Sequence, residues 1–353
     1  MCYTYFENDI EVHKFGPHIF HTSDEWVWEF VRRFGTFNNY EHHVLAKHNN
    51  KYFCLPFNKM LLEQFFQKTF RDPNDAKQFM QNVIAQDIKQ LDIDSNNPKN
   101  LEEQAISLVG VDLYNAFIKN YTTKQWNKDP KELSADIIKR IPIRFDYNMS
   151  YYDDKYVGIP VNGYSKLIDH MVYGIKVQCC KKMDINGIIS ALEWFDKVVY
   201  TGPLDELFFY KFGTLEWRSL KFETETVYAQ SFQGAAAVNY VDADVSYTRI
   251  NEYKYYHPEA KTQFERGITV IQTEVPQDWD IEKPRFYPVN NAETARIYNE
   301  YKNAADSING LFVGGRLGKY KYYDMDDTIL VAKNDAANWF SVEPRVSDFK
   351  LKI

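Results

Sequence analysis

The sequence predicts a mixed α/β protein with an antiparallel component, and three stretches carry that prediction. Residues 59–120 place apolar side chains at helical spacing. Beyond Tyr151 the texture changes to short strand-like runs broken by Gly, Pro, Asn and Asp. Later, a short apolar run, Leu311-Phe312-Val313, meets Gly314-Gly315-Arg316 and then a last helical pattern. Helices first, a sheet-rich middle and a strand–glycine–helix close make a mixed α/β order with an antiparallel part.

The elements follow in chain order. Thr22-Ser23-Asp24-Glu25 reads as a capping box, Thr22 the cap and Glu25 reaching back. Trp26, Val27, Phe30, Val31 and Phe34 then fall on one helical face. Lys51-Tyr52-Phe53-Cys54-Leu55 is a strand closed by Pro56. Within residues 101–119, Ile106, Leu108, Val109, Leu113, Phe117 and Ile118 supply apolar residues of a mainly helical region. Asp72-Pro73-Asn74-Asp75 and Asn96-Asn97-Pro98 punctuate this region as turns. Lys197-Val198-Val199-Tyr200-Thr201 predicts a strand running into Gly202-Pro203, and residues 222–228, 235–240 and 268–273 predict three more. Residues 291–307 and 324–339 return to helix.

A chain of 353 residues, 44% hydrophobic and 26% charged, is long enough for two or three cores and is not disordered. Net charge is −7, with no basic stripe or cationic tail, which excludes nucleic acid as the main partner. An anionic ligand then needs a local arginine cluster inside an acidic protein. No run approaches a spanning helix, so no membrane span is expected. Cys2, Cys54, Cys179 and Cys180 lack metal-ligand spacing and fit reduced thiols in the cytoplasm. The 26 tyrosines fit either codon bias or a polar cleft that binds flat rings.

Several segments carry polar chemistry. His13-Lys14-Phe15-Gly16-Pro17-His18-Ile19-Phe20-His21-Thr22 holds three histidines around a Gly-Pro turn, which suits structural or ring-contacting roles better than a metal site. Tyr121-Thr122-Thr123-Lys124-Gln125-Trp126 reads either as core aromatics or as a binding face. Arg140 and Arg144 flank Pro142, where a guanidinium fork either grips phosphate or is solvated. In Tyr247-Thr248-Arg249-Ile250-Asn251-Glu252, strand alternation turns Arg249 away from Thr248 and Ile250, so it needs a carboxylate or an anionic ligand. Gly314-Gly315-Arg316-Leu317-Gly318-Lys319-Tyr320-Lys321-Tyr322-Tyr323-Asp324 combines glycines, cations and tyrosines between a strand and a helix, as an anionic ligand requires.

Taken in order, these segments resemble the UDP-galactopyranose mutase family of bacterial type, together with Leu55-Pro56-Phe57-Asn58, Tyr200-Thr201-Gly202-Pro203, Phe212-Gly213, Arg218-Ser219-Leu220 and Tyr287-Pro288-Val289. The resemblance implies an isomerase that interconverts UDP-galactopyranose and UDP-galactofuranose for cell-surface polysaccharide synthesis. Its cofactor would be reduced FAD, acting as a nucleophile. It implies that Arg140 and Arg249 hold the diphosphate, and that Tyr121, Thr122 and Trp126 line the uracil side. Asn58, Tyr151, Tyr287, Tyr322 and Asp324 would face the rest of the substrate. His18, Gly315, Arg316, Tyr323 and Met325 would face the flavin. The partner it implies is the sugar nucleotide UDP-galactose, with a homodimer as a further expectation.

The resemblance also implies the domain plan. Residues 1–57 would be the remainder of an incomplete Rossmann-like FAD domain, and 58–145 an inserted helical domain with a mobile substrate loop. Residues 146–290 would form a mainly antiparallel substrate domain that returns to the FAD domain near 190–215, and 291–353 would close the FAD domain. In the family a strand–Gly-x-Gly-x-x-Gly–helix–strand unit of over about thirty residues precedes the histidine loop. Twelve residues precede His13, and none of the fifteen glycines forms that fingerprint. The expectation is weak FAD retention, since backbone donors for the cofactor's diphosphate are lost. The alternative reading is a noncatalytic remnant that binds UDP-sugar without stable FAD.

Overall fold

The computed structural model describes residues 2–138 and 142–349. Arg140, one of the two arginines expected at the diphosphate, lies outside the described residues. The chain divides into two compact units: Met1–Ile19, Asn38–Gly163 and Leu220–Gln277 form one, and Phe20–Phe37, Tyr164–Ser219 and Asp278–Ile353 form the other.

The first unit is built on a mixed sheet. The strands Thr269–Asp278, Arg249–Glu252, Ala237–Tyr240, Val44–His48 and Lys51–Leu55 lie side by side in that order. Neighbours are antiparallel except Val44–His48 and Ala237–Tyr240, which run parallel. The Val44–His48/Lys51–Leu55 hairpin turns on Asn49 and Asn50, at φ 48° and 59°. The hairpin Thr4–Glu7/Ile10–His13 turns on Asn8 and Asp9, at φ 51° and 59°. Asn and Asp tolerate the left-handed region that a two-residue primed turn demands.

Helices Lys59–Phe66, Pro73–Leu91 and Leu101–Val109 pack an apolar core around Leu61, Leu101, Ala105, Leu113 and Phe117. The mainly helical stretch expected over residues 101–119 is helical with an interruption. Gly110 takes φ 82°, and the freed Val111 N–H donates to Asp87 Oδ2 at 2.8 Å. The chain then widens into a π-helix, Tyr114–Lys119, before the α-helix Asn120–Trp126. Apolar spacing alone does not distinguish these windings, because all bury much the same face.

The second unit holds the parallel pair Val198–Tyr200 and Leu311–Val313. Helix Ala292–Asp306, capped by Asn291, packs Ile297, Tyr301 and Ala305 against Leu204, Leu207 and Trp217. A smaller cluster joins Val27 and Val31 of helix Glu25–Arg32 to Ile329 of helix Met325–Phe340. The first of these helices corrects the expected cap. Asp24, not Thr22, is the N-cap: its carboxylate accepts from Val27 N–H at 2.9 Å, while Thr22 Oγ1 accepts from Asp24 N–H at 3.1 Å. Either residue can cap; the helix starts two residues later than Thr22 would require. Among the described residues, no helix is long and apolar enough to cross a membrane.

Candidate functional site

In the first unit, strand register builds a polar row. Arg249 is paired with Asn239 on one neighbouring strand and with Glu274 on the other. Residues opposite each other on adjacent strands share a face, and these three side chains meet. Arg249 Nε donates to Asn239 Oδ1 at 2.8 Å, and Arg249 Nη1 lies 4.0 Å from Glu274 Oε1. The Glu274 carboxylate also accepts from Asn251 Nδ2 at 2.7 Å. From the helix Asn120–Trp126, the Tyr121 hydroxyl accepts from Arg249 Nη2 at 3.4 Å. Burial pushes the Tyr121 phenol up, so it stays a neutral hydroxyl at neutral pH. The Arg249 side chain as a whole is 21% exposed.

The other expected residues of this unit have partners of their own. Tyr151 packs its ring edge-on to His42 at 5.5 Å and donates its N–H to His42 O, while Thr122 is buried. Trp126 packs on the helical core, where Tyr121 also leans. Asn58 is fully buried: its Oδ1 caps helix Lys59–Phe66 by accepting from Leu61 N–H at 2.9 Å, and its Nδ2 donates to Asn148 O. Arg144 is committed to Ser150 O and to the Asp153 carboxylate.

The histidine loop is fastened to the same sheet. His18 N–H donates to His13 Nδ1 at 2.8 Å, which leaves the His13 proton on Nε2, facing Glu11 Oε1 at 3.6 Å. Burial holds the His13 pKa below its ordinary value. The His13 carbonyl accepts from Tyr253 OH at 2.9 Å and from Gln272 Nε2 at 3.1 Å. Gly16 takes φ 86°, and a Cβ there would stand 2.9 Å from the Phe222 ring and 3.6 Å from Glu274 Oε1. His18 Nδ1 lies 2.6 Å from Gly16 O and so carries the proton.

In the second unit, Arg316 caps a pair of tyrosines. The Tyr287 and Tyr322 rings stack at 5.7 Å, and the Arg316 guanidinium lies 4.3 Å from the Tyr322 centroid. Arg316 Nη2 donates to Phe286 O. Its Nε is buried without a hydrogen-bond partner among the described residues. Gly315 has φ 72° and packs against Thr201, and Gly314 packs against Trp339. Asp324 is the N-cap of helix Met325–Phe340, and Asp327 reaches back to accept from Asp324 N–H at 3.4 Å. Tyr323 and Met325 flank that cap half-buried.

Asn239 and Glu274 escape the sequence reading. Asn239 and Glu274 carry one faint signal, a polar residue inside an apolar strand run, where burial demands a partner. Among the described residues, no group of three His, Cys, Asp or Glu side chains is placed to hold a metal ion.

A family profile described as UDP-galactopyranose mutase matches residues 116–322. A probable UDP-galactopyranose mutase of Klebsiella pneumoniae is 36% identical over 95% of this chain and 83% of its own length. A dTDP-fucopyranose mutase of Escherichia coli is 35% identical over 90% of this chain and 82% of its own. The crystal structure of a reduced UDP-galactopyranose mutase shares the fold, with a TM-score of 0.70 at 13% identity, covering 98% of this chain and 87% of that one.

Proposed function

The chain belongs to the UDP-galactopyranose mutase family, and on that premise we propose that it is an isomerase of nucleotide sugars, with UDP-galactose as substrate. The observation that carries the substrate reading is Arg249, held by Asn239 and Tyr121 with its side chain partly exposed. A diphosphate needs such a cation, and this acidic chain must supply it locally.

The chain's own residues do the following. Arg249 pairs with the diphosphate and stabilises the charge that grows there as the anomeric bond breaks. Tyr121 presents its ring to the uracil and its hydroxyl to the guanidinium, so that base and phosphate are read by one contact pair. Thr122, Trp126 and Tyr151 border that pair, and Arg140 is assigned to the diphosphate as a second cation. Tyr287, Tyr322 and Asp324 are likewise assigned to the sugar nucleotide.

FAD is the cofactor of this reading, and the residues present fit its ring end. The buried Arg316 Nε is an unpaired donor among the described residues, beside an aromatic stack, which suits a planar heterocycle with acceptor atoms. Gly315, Tyr323, Met325 and His18 are assigned to the flavin as well. The diphosphate end of FAD is not matched by a Gly-x-Gly-x-x-Gly sequence in the chain. When bound, the reduced flavin supplies the nucleophile for the anomeric carbon.

The test is turnover. Purified chain with reduced FAD should convert UDP-galactofuranose to UDP-galactopyranose by chromatography, and Arg249→Ala should lose most of that rate. dTDP-fucofuranose, run in parallel, decides between the chemistries of the two relatives. No turnover of either sugar nucleotide, with UDP binding kept, would favour the noncatalytic reading.

A further inference from the structure

Lys124 lies inside the Tyr121–Trp126 motif but has no role in the chemistry above. Its ammonium is taken up by three backbone carbonyls, donating to Tyr240 O at 2.7 Å, Asp242 O at 2.9 Å and Tyr247 O at 3.1 Å. Tyr240 ends the strand Ala237–Tyr240, and Asp242 and Tyr247 lie in the loop that runs from it to Arg249. The loop is closed at its base, where Tyr240 N–H donates to Thr248 O at 2.9 Å. It is held from the other side by Asp242, whose carboxylate faces His48 Nδ1 at 2.6 Å and accepts from Asn49 N–H at 2.9 Å.

Three carbonyl oxygens aimed at one point repel each other unless a cation fills the space. A lysine ammonium has three donors and no acceptor, so one side chain satisfies all three. Lys124 is three residues after Tyr121 on the same short helix, so the two lie on neighbouring faces. The loop ends at Thr248, and the next residue is Arg249. The same ammonium therefore fixes the Tyr121 helix to the segment that delivers Arg249.

We infer that Lys124 is a positioning residue for ligand binding: its ammonium, seated in the carbonyl niche of Tyr240, Asp242 and Tyr247, holds Tyr121 and Arg249 in their hydrogen-bonded register. It touches neither substrate nor cofactor and acts through Arg249. The inference rests on the reading that Arg249 binds the diphosphate.

The experiment is calorimetric titration of the full chain with UDP. Lys124→Met, which keeps length and removes the donors, is expected to weaken UDP binding on the order of tenfold. Repeated in an Arg249→Ala background, the same exchange is expected to change affinity less than about twofold, because a residue acting through Arg249 has nothing left to position. In Lys124→Ala, n-propylammonium restores the missing atoms and is expected to recover UDP binding; a role in packing alone gives no recovery. If Lys124→Met does not fold, Lys124→Arg carries the test, since a planar fork cannot serve three converging carbonyls. It should bind UDP about threefold more weakly. Wild-type affinity in a folded Lys124 variant, or an undiminished effect in the Arg249→Ala background, overturns the inference while leaving the diphosphate reading intact. Unchanged UDP affinity in Arg249→Ala alone overturns that reading and this inference with it.

Discussion

Arg249 is oriented before any ligand arrives. Asn239 and Tyr121 fix its fork, so a diphosphate that binds it does not have to freeze a long side chain. Truncating one partner of such a charge pair costs about 2–5 kcal/mol. Arg249→Ala should therefore weaken UDP binding by on the order of a hundredfold, and Arg249→Lys by less, because it keeps the charge and loses the fork. Titration calorimetry reads both, and native affinity in Arg249→Lys would show that the fork's geometry plays no part. Lys124 makes the site sensitive to pH. Burial lowers its pKa to about 8, against the opposing pull of Asp242 and Asp244, with His48 facing Asp242 across the loop. The ammonium is present below that value and lost as pH rises through it, leaving an amine with two donors for three carbonyls. UDP affinity should fall between pH 7 and pH 9 in the native chain, and the fall should vanish in Lys124→Arg, whose charge persists. A flat native profile would place the ammonium outside the binding energetics.

Short elements show where local sequence is sufficient and where it is not. Strand Lys51–Leu55 and helix Ala292–Asp306 were legible because each carries its own signals, an alternating or periodic run closed by Pro56 or opened by Asn291. Strand Val44–His48 was not, since its turn reads Asn49-Asn50 rather than Asn-Gly and its second partner lies near residue 238. Arg249 was legible as a cation in need of a partner. Asn239 and Glu274 were not, because register across three strands is a tertiary fact. The caps make a measurable distinction at this scale. Asp24→Ala should destabilise the protein by about 1 kcal/mol and Glu25→Ala by much less, because only Asp24 satisfies the Val27 amide. Gly16→Ala should cost about 1–2 kcal/mol, since φ 86° is strained for alanine and its Cβ meets the Phe222 ring. Urea unfolding measures each, and a neutral Gly16→Ala would mean that the histidine loop relaxes freely.

At the scale of the whole molecule, family membership and fold were legible from ordered motifs spread along most of the chain, as the 36% identity over 95% of it bears out. Such motifs survive because each is a cluster of residues that one chemistry requires. How the backbone is partitioned was less legible, since each compact unit is assembled from three separated segments. A ligand that binds only the folded protein stabilises it by mass action, about 2.7 kcal/mol at one hundred times its Kd. UDP should therefore raise the melting temperature of the native chain and fail to raise that of Arg249→Ala, in a thermal-shift titration. Equal protection of both would place the nucleotide elsewhere.

Asn239, Arg249 and Glu274 stand on three strands, and the last of them enters the chain 25 residues after Arg249. Contact order predicts that the hairpin of the first two strands, joined by near neighbours, forms before the third, which must close a longer loop. During refolding the diphosphate grip is complete only when that third strand has docked. Nucleotide capture thus works as a clock for sheet closure. In a stopped-flow refolding experiment, UDP-binding competence should appear with the slowest sheet-forming phase and lag the formation of helix.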